Sequence, residues 1–255
     1  MNNPKVTGCI VTHNNMKTIK DTLDSVFENI SSLDFRLYVV DNDSTDGTPD
    51  FIRENYPQVC LIEPKTNDGF GAGHNLVLPM LSSEYHIIIN PDIIIKDDAI
   101  QNMIAFLDSN GEIGALSPKI CFPDGREQIL GKRSPKLKYL VASRMRNEQS
   151  PSKLLREYAM LDEDLSKITD IKNATGCFLV FRTQVFKKLG GFDERFFMYF
   201  EDADISLRAA QISRLIYYPD ATVYHVWGRE SKRNLKLMRI HICSMLKFFI
   251  KWKTI

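Results

Sequence analysis

The chain has 255 residues, of which 44% are hydrophobic and 25% are charged. This composition is typical of a soluble globular protein, and the length suffices for one large domain with a sizeable core. The formal net charge is +1, which by itself says nothing about a polyanionic partner, but a neutral body with two basic patches is less typical of a nucleic-acid binder. The basic residues are nevertheless clustered in residues 132–156 and 229–253, a distribution typical of an enzyme that docks on a surface.

The five cysteines are widely spaced and form no CxxC pair. Their odd number, and the apolar neighbours of Cys9, Cys60 and Cys177, predict buried free thiols in a reducing compartment. The first residues lack the apolar segment of a signal peptide, and no stretch reaches the roughly 18 apolar residues of a membrane span. We therefore expect a cytoplasmic protein.

Short apolar runs alternate with helical patterns through the first half of the chain. The predicted strands are residues 6–11, 35–40, 59–62 and 85–89. The predicted helices, in which apolar residues recur every three or four positions, are residues 17–30, 49–56, 69–80 and 101–109. This alternation predicts an α/β fold with a parallel, doubly wound sheet flanked by helices.

The pattern changes after residue 109. A strand is predicted at residues 113–122, and a polar, basic excursion from the sheet over about residues 132–167. Apolar order returns at residues 174–181, before a short helix that ends at Leu189. The last pattern, residues 231–252, is that of an amphipathic helix.

The most informative stretch is residues 196–208, in which Glu201, Asp202 and Asp204 follow a run of aromatic residues. An acid at the rim of an apolar wall can have its pKa tuned for proton transfer. Asp92 likewise ends an apolar strand, and the two acidic sites together indicate one cleft that binds a metal and performs acid–base chemistry. A simpler alternative is that the three acids complement the dipole of a helix, at about 0.3–1 kcal/mol each.

Polar residues also follow the other predicted strands. In a parallel α/β sheet the ligand site lies at the carboxyl ends of the strands. The polar clusters at those ends are Thr12-His13-Asn14, Asp41-Asn42, Asn67-Asp68-Gly69 and Asn90-Pro91-Asp92. Each cluster alone also fits a tight turn or a loop before a helix, but their order and spacing together are specific.

These clusters resemble the motifs of the family-2 glycosyltransferases, and the forms around Gly69 and Asp92 are most similar to the rhamnosyltransferase-like subgroup. The resemblance covers about residues 5–228. It implies a GT-A, Rossmann-like fold with a mostly parallel sheet flanked by helices. It also implies a domain over residues 1–228, with a donor-binding half (about 1–122) and an acceptor and catalytic half (about 123–228), followed by a basic amphipathic helix in residues 229–255.

The resemblance implies a role for each matching residue. The residues implied to bind the nucleotide sugar are Thr12, Asn14, Asp41, Asn42, Asn67, Gly69, Phe70, Gly71, Asn75, Asn90 and Asp92. Asp41 and Asn42 would bind the base. Asp92 would bind Mg²⁺ or Mn²⁺, with His225 as a further ligand. For His225, a core or rim histidine is the alternative interpretation.

The second half of the chain would then supply the catalytic residues. Asp202 is the implied catalytic base, and Glu201 and Trp227 are expected on the acceptor side. Glu201 and Asp202 are adjacent, so on a helix they point about 100° apart and cannot both face the acceptor. Asp204 is expected to stabilise the helix.

The resemblance implies dTDP-rhamnose as the leading donor, with a UDP-hexose as the alternative. The acceptor would be a cell-surface polysaccharide or a polyprenyl-diphosphate-linked precursor. Residues 229–255 would then contact the inner face of the cell membrane peripherally, while packing on the domain and a homodimer interface are the alternatives. A nucleotidyltransferase is disfavoured because residues 12–18 contain no glycine, and a non-catalytic nucleotide-sugar-binding protein is the remaining alternative.

Overall fold

A computed structural model describes residues 3–30, 32–145, 149–226 and 235–253. The strands in these ranges are Val6–Thr12 (β1), Phe35–Asp41 (β2), Cys60–Ile62 (β3), Tyr85–Ile89 (β4), Ile93–Ile95 (β5), Ile113–Cys121 (β6), Thr169–Asp170 (β7), Phe178–Arg182 (β8) and Arg214–His225 (β9). They form one sheet in the order β3-β2-β1-β4-β8-β6-β9-β5, and β7 pairs with β9.

The helices flank this sheet. They are Ile19–Glu28 (α1), Thr48–Asn55 (α2), Phe70–Asn75 (α3), Ala99–Ser109 (α4), Leu137–Arg144 (α5), Lys153–Tyr158 (α6), Thr183–Lys188 (α7), Glu201–Ile212 (α8) and Leu235–Trp252 (α9). The helix expected over residues 69–80 is shorter than predicted: α3 ends at Asn75 and a 3₁₀ turn follows at Leu78–Met80. Pro79 has no N–H to donate and so opposes continuation of an α-helix.

The first four strands form the parallel half of the sheet, as predicted. β1 pairs in parallel with β2 and β4, and β2 with β3. All residues of β1 and β4 are buried because helices cover both faces. Helices α1, α2 and α4 pack on one face, and α7 and α8 pack on the other. This half places the carboxyl ends of β1, β2 and β4 at one edge.

The second half of the sheet is mixed and departs from the expected parallel arrangement. β8 lies antiparallel between β4 and β6, and β5 and β7 are antiparallel to β9, whereas β6 and β9 are parallel. β5 has three residues and β7 has two, too few for alternation of side chains to predict them. The pairing of β5 with β9 matters because it builds part of the site described below.

The basic excursion folds into α5 and α6, which pack through the stacked rings of Tyr139 and Tyr158, with centroids 5.1 Å apart. Several of its cations are paired with local acids. The ion pairs are those of Arg133 with Asp162 and Glu163, and of Lys138 with Glu157. Part of the positive charge in this segment is therefore neutralised by neighbouring acids.

The cysteines in the structure are free thiols, as predicted. Cys9, Cys121 and Cys177 are buried, but Cys60 is exposed, contrary to the prediction. The reason is that β3 lies at the edge of the sheet, where one side of the strand lacks a neighbour.

One face of α9 packs on the domain. Phe248 is fully buried against Phe196 and Phe200, at the entrance to α8. The Ser244 hydroxyl donates to the Met198 carbonyl oxygen at 2.8 Å. Of the alternatives that the sequence leaves open for this helix, packing on the domain accounts for this face.

The opposite face of α9 is exposed. Its exposed apolar residues are Leu235, Ile242, Leu246 and Ile250. Among the residues that the structure describes, no helix is both long enough and apolar enough to cross a membrane.

Candidate active site

The end of β2 presents Asp41 and Asn42, both buried. Asp41 Oδ1 accepts a hydrogen bond from the Ser44 backbone N–H at 2.8 Å, whereas Oδ2 is buried without a partner among the described residues. Burial raises the pKa of Asp41. A buried carboxylate oxygen without a donor is available to accept a hydrogen bond from a ligand N–H. Asn42 Nδ2 donates to the Gly69 carbonyl oxygen at 3.0 Å, so this side chain holds the neighbouring loop.

The loop after β1 is braced against the loop after β2. The Thr12 hydroxyl donates to Asn15 Oδ1 at 3.0 Å. Asn14 has a φ of 58°; its Oδ1 accepts from the Thr45 N–H at 2.8 Å, and its own N–H donates to Ser44 Oγ at 2.8 Å. Thr12 and Asn14 therefore fix the shape of the two loops beside the end of β2.

The loop before α3 is in close contact with Phe197. Asn67 Oδ1 accepts from the Gly69 N–H at 3.1 Å. Gly69 has a φ of +99°, and a Cβ at this position would lie 2.1 Å from the Phe197 carbonyl oxygen, so only glycine fits. The Phe70 N–H donates to the same oxygen at 3.0 Å. The loop and the aromatic segment thus share one backbone contact.

Gly71 and Asn75 tie α3 to the segment that precedes α8. A Cβ at Gly71 would lie 2.8 Å from Phe192 Cβ. Asn75 Oδ1 accepts from the Phe192 N–H at 2.8 Å, and Asn75 Nδ2 donates to the Phe192 carbonyl and to Glu194 Oε1, both at 2.9 Å. Both ends of the Asn75 amide are therefore engaged by the protein, which places this side chain in a supporting position.

The pairing of β5 with β9 brings Asp92 beside His225. Ile93 lies opposite His225 in this pair, and the Val226 N–H donates to the Asp92 carbonyl oxygen at 3.0 Å. His225 Nε2 is 3.4 Å from Asp92 Oδ1, an ion-pair distance longer than an ordinary hydrogen bond. Burial alone would lower the pKa of His225, but Cys177 and Asp92 outweigh burial and raise this pKa to about 10.

Two side-chain oxygens at the end of β4 lack partners. Asn90 Oδ1 and Asp92 Oδ1 are buried, and neither has a hydrogen-bond donor among the described residues. Buried polar atoms ordinarily have partners, so these two oxygens mark a position where a donor group or a cation fits.

Asp202 lies in the first turn of α8. Its Oδ2 accepts from the Gly176 N–H at 3.1 Å and its Oδ1 from the Ala203 N–H at 2.7 Å. Burial raises the pKa of Asp202, and the two N–H groups oppose that rise. The Cys177 carbonyl accepts from the Asn90 N–H at 2.8 Å. The Gly176–Cys177 dipeptide therefore links Asp202 to the loop at the end of β4.

Glu201 is buried, 7% exposed, and faces the first turn of α3, with its Cβ 3.9 Å from the position of a Cβ on Gly71. Its Oε2 has no hydrogen-bond partner among the described residues. Burial raises the pKa of Glu201 well above its ordinary value, and the charge of Asp202 adds to the rise. Burial at this position therefore favours the neutral form of the acid.

Asp204 stabilises the fold rather than the site. Its side chain is fully buried, and Oδ2 accepts from Arg208 Nε at 2.8 Å. Its Oδ1 is 2.6 Å from Lys251 Nζ and accepts from Trp252 Nε1 at 2.9 Å. This acid therefore fixes the end of α9 on α8.

Comparison with protein families agrees with this geometry. The model of Glycosyl transferase family 2 matches residues 8–190, which is most of the chain. The chain belongs to glycosyltransferase family 2. The match covers the loops at the ends of β1, β2 and β4 and also includes Gly176, the residue that binds Asp202.

Two curated relatives are similar to this family-2 chain over most of its length. It is 30% identical over 202 residues to the N-acetylglucosaminyl-diphospho-decaprenol L-rhamnosyltransferase of Mycobacterium tuberculosis, covering 73% of this chain and 65% of the relative. It is 24% identical over 245 residues to Rhamnosyltransferase WbbL of Escherichia coli, covering 91% of this chain and 89% of the relative. The similarity to rhamnosyltransferases is thus confirmed, although the chain spans only 65% of the mycobacterial protein.

Solved structures share the fold. A mannosyltransferase from Pyrobaculum calidifontis, solved with GDP-Man and Mn²⁺, superposes with a TM-score of 0.65 at 21% identity, covering 98% of this chain and 64% of that one. Staphylococcus aureus TarS 1–349 with UDP gives a TM-score of 0.61 at 20% identity, covering 95% of this chain and 65% of that one. The expected GT-A fold is confirmed.

Asp92 and His225 lie close enough together to be considered as two ligands of a metal ion. No group of three or more His, Cys, Asp or Glu side chains arranged for a metal occurs in the described ranges. Asp92 Oδ1 lacks a hydrogen-bond partner among the described residues and lies beside His225 Nε2. A divalent cation fits between them once it displaces the proton that the raised pKa keeps on His225, if other oxygens complete its coordination. A diphosphate and water provide such oxygens.

Sequence reasoning missed one residue of this site, Gln128. It is buried; its Nε2 donates to the His225 carbonyl at 2.9 Å and its Oε1 lies 3.2 Å from His225 Nδ1. In the structure an isolated bridge between Cys121 and Glu127 positions this residue. The turn at residues 123–125 is visible in the sequence, but it does not by itself predict that bridge. Trp227, expected on the acceptor side, lies outside the described residues.

Proposed function

We propose that this chain is an inverting, metal-dependent glycosyltransferase that moves a sugar from a nucleoside diphosphate to an acceptor hydroxyl. One observation carries the proposal: in a family-2 fold, the Gly176–Cys177 dipeptide connects Asp202 to the loop containing Asn90 and Asp92. A carboxylate with a raised pKa and a partial cation site then share one cleft. That combination suits proton removal on one side of a sugar and departure of a diphosphate on the other.

In this mechanism Asp202 is the general base. Its carboxylate accepts the proton of the acceptor hydroxyl as that oxygen forms a bond to the anomeric carbon. The bond from the anomeric carbon to the diphosphate oxygen breaks on the opposite face, so the configuration inverts. The N–H groups of Gly176 and Ala203 hold the carboxylate during this step.

Asp92 and His225 are the residues that would hold Mg²⁺ or Mn²⁺, with Asn90 beside them. When bound, the cation neutralises the charge that develops on the leaving diphosphate. Gln128 keeps His225 oriented, with Nε2 directed toward Asp92. The structurally similar Pyrobaculum calidifontis mannosyltransferase was solved in complex with Mn²⁺, which supports a divalent cation in this chain.

The donor-binding half is about residues 1–122. Asp41 Oδ2 is available to accept the imide N–H of a pyrimidine, and Asn67, Gly69, Phe70 and Gly71 form the loop beside it. We assign dTDP-rhamnose as the leading donor because two similar proteins are named rhamnosyltransferases. A UDP-hexose is the alternative, since UDP occupies the structurally similar TarS 1–349.

The acceptor half is about residues 123–228, followed by the helix-bearing segment 229–255. The proposed acceptor is a cell-surface polysaccharide or its lipid-linked precursor, in keeping with the diphospho-decaprenol in the name of the mycobacterial relative. An enzyme acting on such an acceptor would work at the cytoplasmic face of the membrane. The exposed apolar residues of α9 suit peripheral contact there.

Calorimetric titration tests the donor assignment. The protein is titrated with dTDP-rhamnose, dTDP, UDP-glucose and UDP, each with and without Mn²⁺. Metal-dependent binding that is selective for the dTDP compounds supports the rhamnosyltransferase proposal, and tight binding of the UDP compounds changes the donor but keeps the mechanism. If none of the four binds, the proposed function is wrong. Asp92→Ala is the matched variant, and it should abolish the difference that Mn²⁺ makes.

A further inference from the structure

A groove with a volume of about 510 Å³ lies between Phe197 and the exposed side of α9. This volume is within the range of about 300–1,000 Å³ that is usual for small-molecule sites. Its apolar lining includes Phe197, Leu235 and Ile240, and its polar lining includes Lys236, Arg239 and Lys247. The groove therefore combines hydrocarbon surface with cationic side chains.

The groove adjoins the proposed catalytic cleft through Phe197. The Phe197 carbonyl oxygen accepts from the Phe70 N–H of the donor loop at 3.0 Å, while Phe197 also lines the groove. The same aromatic segment leads directly into α8, which begins at Glu201 and carries Asp202. A molecule in the groove is thus separated from the donor loop by one segment of chain.

The charge of the groove is one-sided. Its described lining residues include three cations and no acid. Lys247 Nζ donates to the Arg195 carbonyl oxygen at 2.7 Å, which orients its ammonium group and leaves it two further N–H donors. Arg239 has no ion pair with any residue that the structure describes, so its planar guanidinium is available for an oxyanion.

A second copy of the chain fits this surface less well than a lipid diphosphate. A second copy paired through α9 would place like charges together, because the described part of α9 contains basic residues and no Asp or Glu. A diphosphate attached to a hydrocarbon chain matches both the charge and the apolar lining of the groove.

We propose that this groove binds the diphosphate and the adjoining isoprenoid units of a lipid-linked acceptor. The inference rests on the proposed transferase function for its biological meaning, but binding to the groove can be measured independently of sugar transfer. Lys236, Arg239 and Lys247 contact the diphosphate, and Phe197, Leu235 and Ile240 contact the hydrocarbon. The sugar on the diphosphate then extends past Phe197 toward Asp202.

The test uses farnesyl diphosphate, farnesyl monophosphate, farnesol and inorganic diphosphate as probes. Each is titrated into the full chain by calorimetry, with dTDP or UDP and Mn²⁺ already bound so that the donor site is filled. Farnesyl diphosphate should bind at least about tenfold more tightly than farnesol or inorganic diphosphate. Arg239→Gln should lower the affinity for farnesyl diphosphate by about tenfold or more and leave the nucleotide affinity within about twofold of the unsubstituted chain.

Lys253→Gln is the matched control, since it removes a positive charge next to the same helix and outside the groove. It should leave farnesyl diphosphate affinity within about twofold of the unmodified chain. Equal affinity for farnesyl diphosphate and farnesol, or equal weakening by the two substitutions, overturns the proposal. The proposal is also overturned if the chain shows no preference for farnesyl diphosphate and binds phosphatidylglycerol vesicles from which excess farnesyl diphosphate does not displace it. That result would assign the surface to the bilayer.

The two proposals fail separately. If the nucleotides do not bind, the probes are titrated into the chain alone. Farnesyl diphosphate binding that Arg239→Gln weakens then supports the groove while the transferase proposal fails. Metal-dependent nucleotide binding without any binding of farnesyl diphosphate overturns the groove and leaves the transferase proposal in place.

Discussion

Asp202 is held at the start of α8 by the N–H groups of Gly176 and Ala203. Substitution by Asn preserves the size of the side chain and removes its ability to accept a proton. We expect Asp202→Asn to lower the rate of sugar transfer by about 10²–10⁴-fold, while donor affinity in calorimetry stays nearly unchanged. Asp220→Asn, the same chemical change at an exposed position, is the control and should transfer normally.

The pH dependence of the same residue provides a second readout. Burial raises the pKa of Asp202, so its carboxylate binds a proton at higher pH than an exposed aspartate. Because a general base must be unprotonated, kcat should fall as the pH drops through this raised pKa, above the ordinary value of about 4. The residual activity of Asp202→Asn should not show this decrease at low pH. Transfer by the variant at a near-normal rate would leave Asp202 with a structural role only.

Burial of the acids also affects stability. The pKa values of Glu201 and Asp202 are raised in the folded chain, so the folded state binds their protons more tightly than the unfolded state does. The contribution of these two acids to the free energy of unfolding is therefore fully present below their ordinary pKa values and falls as the pH rises through the raised ones. Burying these two acids therefore lowers the free energy of unfolding at pH values above their ordinary pKa values.

Gln128 acts through His225. Its Oε1 lies 3.2 Å from His225 Nδ1 and its Nε2 donates to the His225 carbonyl, so it fixes the ring that would bind the metal. We expect Gln128→Leu to weaken Mn²⁺ binding by about 10–100-fold, measured by calorimetry in the presence of the nucleotide. Gln128→Glu, which keeps an acceptor for Nδ1–H, should recover part of the affinity. Equal losses in both variants would indicate a general packing defect.

At the scale of residues, the sequence indicates which side chains are candidates for the site, but not which groups surround them. Asp41, Asp92 and Asp202 stand out because each ends an apolar segment or begins a helix. Some of the partners of these acids are distant in sequence, as Asp92 with His225 and Asp202 with Gly176 show. Nothing local to Gln128 indicates that it lies beside that histidine, since their contact depends on strand pairing.

At the scale of elements, α9 belongs to the folded domain. Phe248 is fully buried, whereas Ile250 on the same helix is 77% exposed. We expect Phe248→Ala to lower the free energy of unfolding by about 3–5 kcal/mol. Ile250→Ala is the matched control and should change it by no more than about 0.5 kcal/mol. Chemical denaturation followed by circular dichroism measures both, and equal effects of the two would show that α9 does not pack as described.

The sequence predicted this helix but not its orientation. Apolar residues at helical spacing form a buried stripe that includes Phe248 and an exposed stripe that includes Leu246 and Ile250. Both stripes obey the same periodicity, so periodicity alone does not choose between them. The choice depends on the aromatic surface around Phe196, which forms only when α8 is in place.

At the scale of the whole molecule, the two halves of the sheet differ in how far they can be predicted. The parallel half consists of strands joined by helices, a local pattern that a single sequence displays well. The second half depends on β8 inserting antiparallel between β4 and β6, and on β5 pairing with β9. Those contacts join residues far apart in the chain, and short strands carry little signal of their partners. The parallel half of the sheet was therefore easier to predict than the mixed half.

The contact of Asp204 with Lys251 and Trp252 has a consequence for synthesis on the ribosome. Asp204 is fully buried in α8, yet two of its partners arrive only with the last turn of α9. Domains tend to fold from the N-terminus as they emerge, and β1, β2 and β3 pair only with strands that precede residue 90. A nascent chain that has reached only α8 carries a carboxylate that lacks two of the donors it has in the interior. The buried surroundings of α8 are therefore completed only after residues far downstream have been translated.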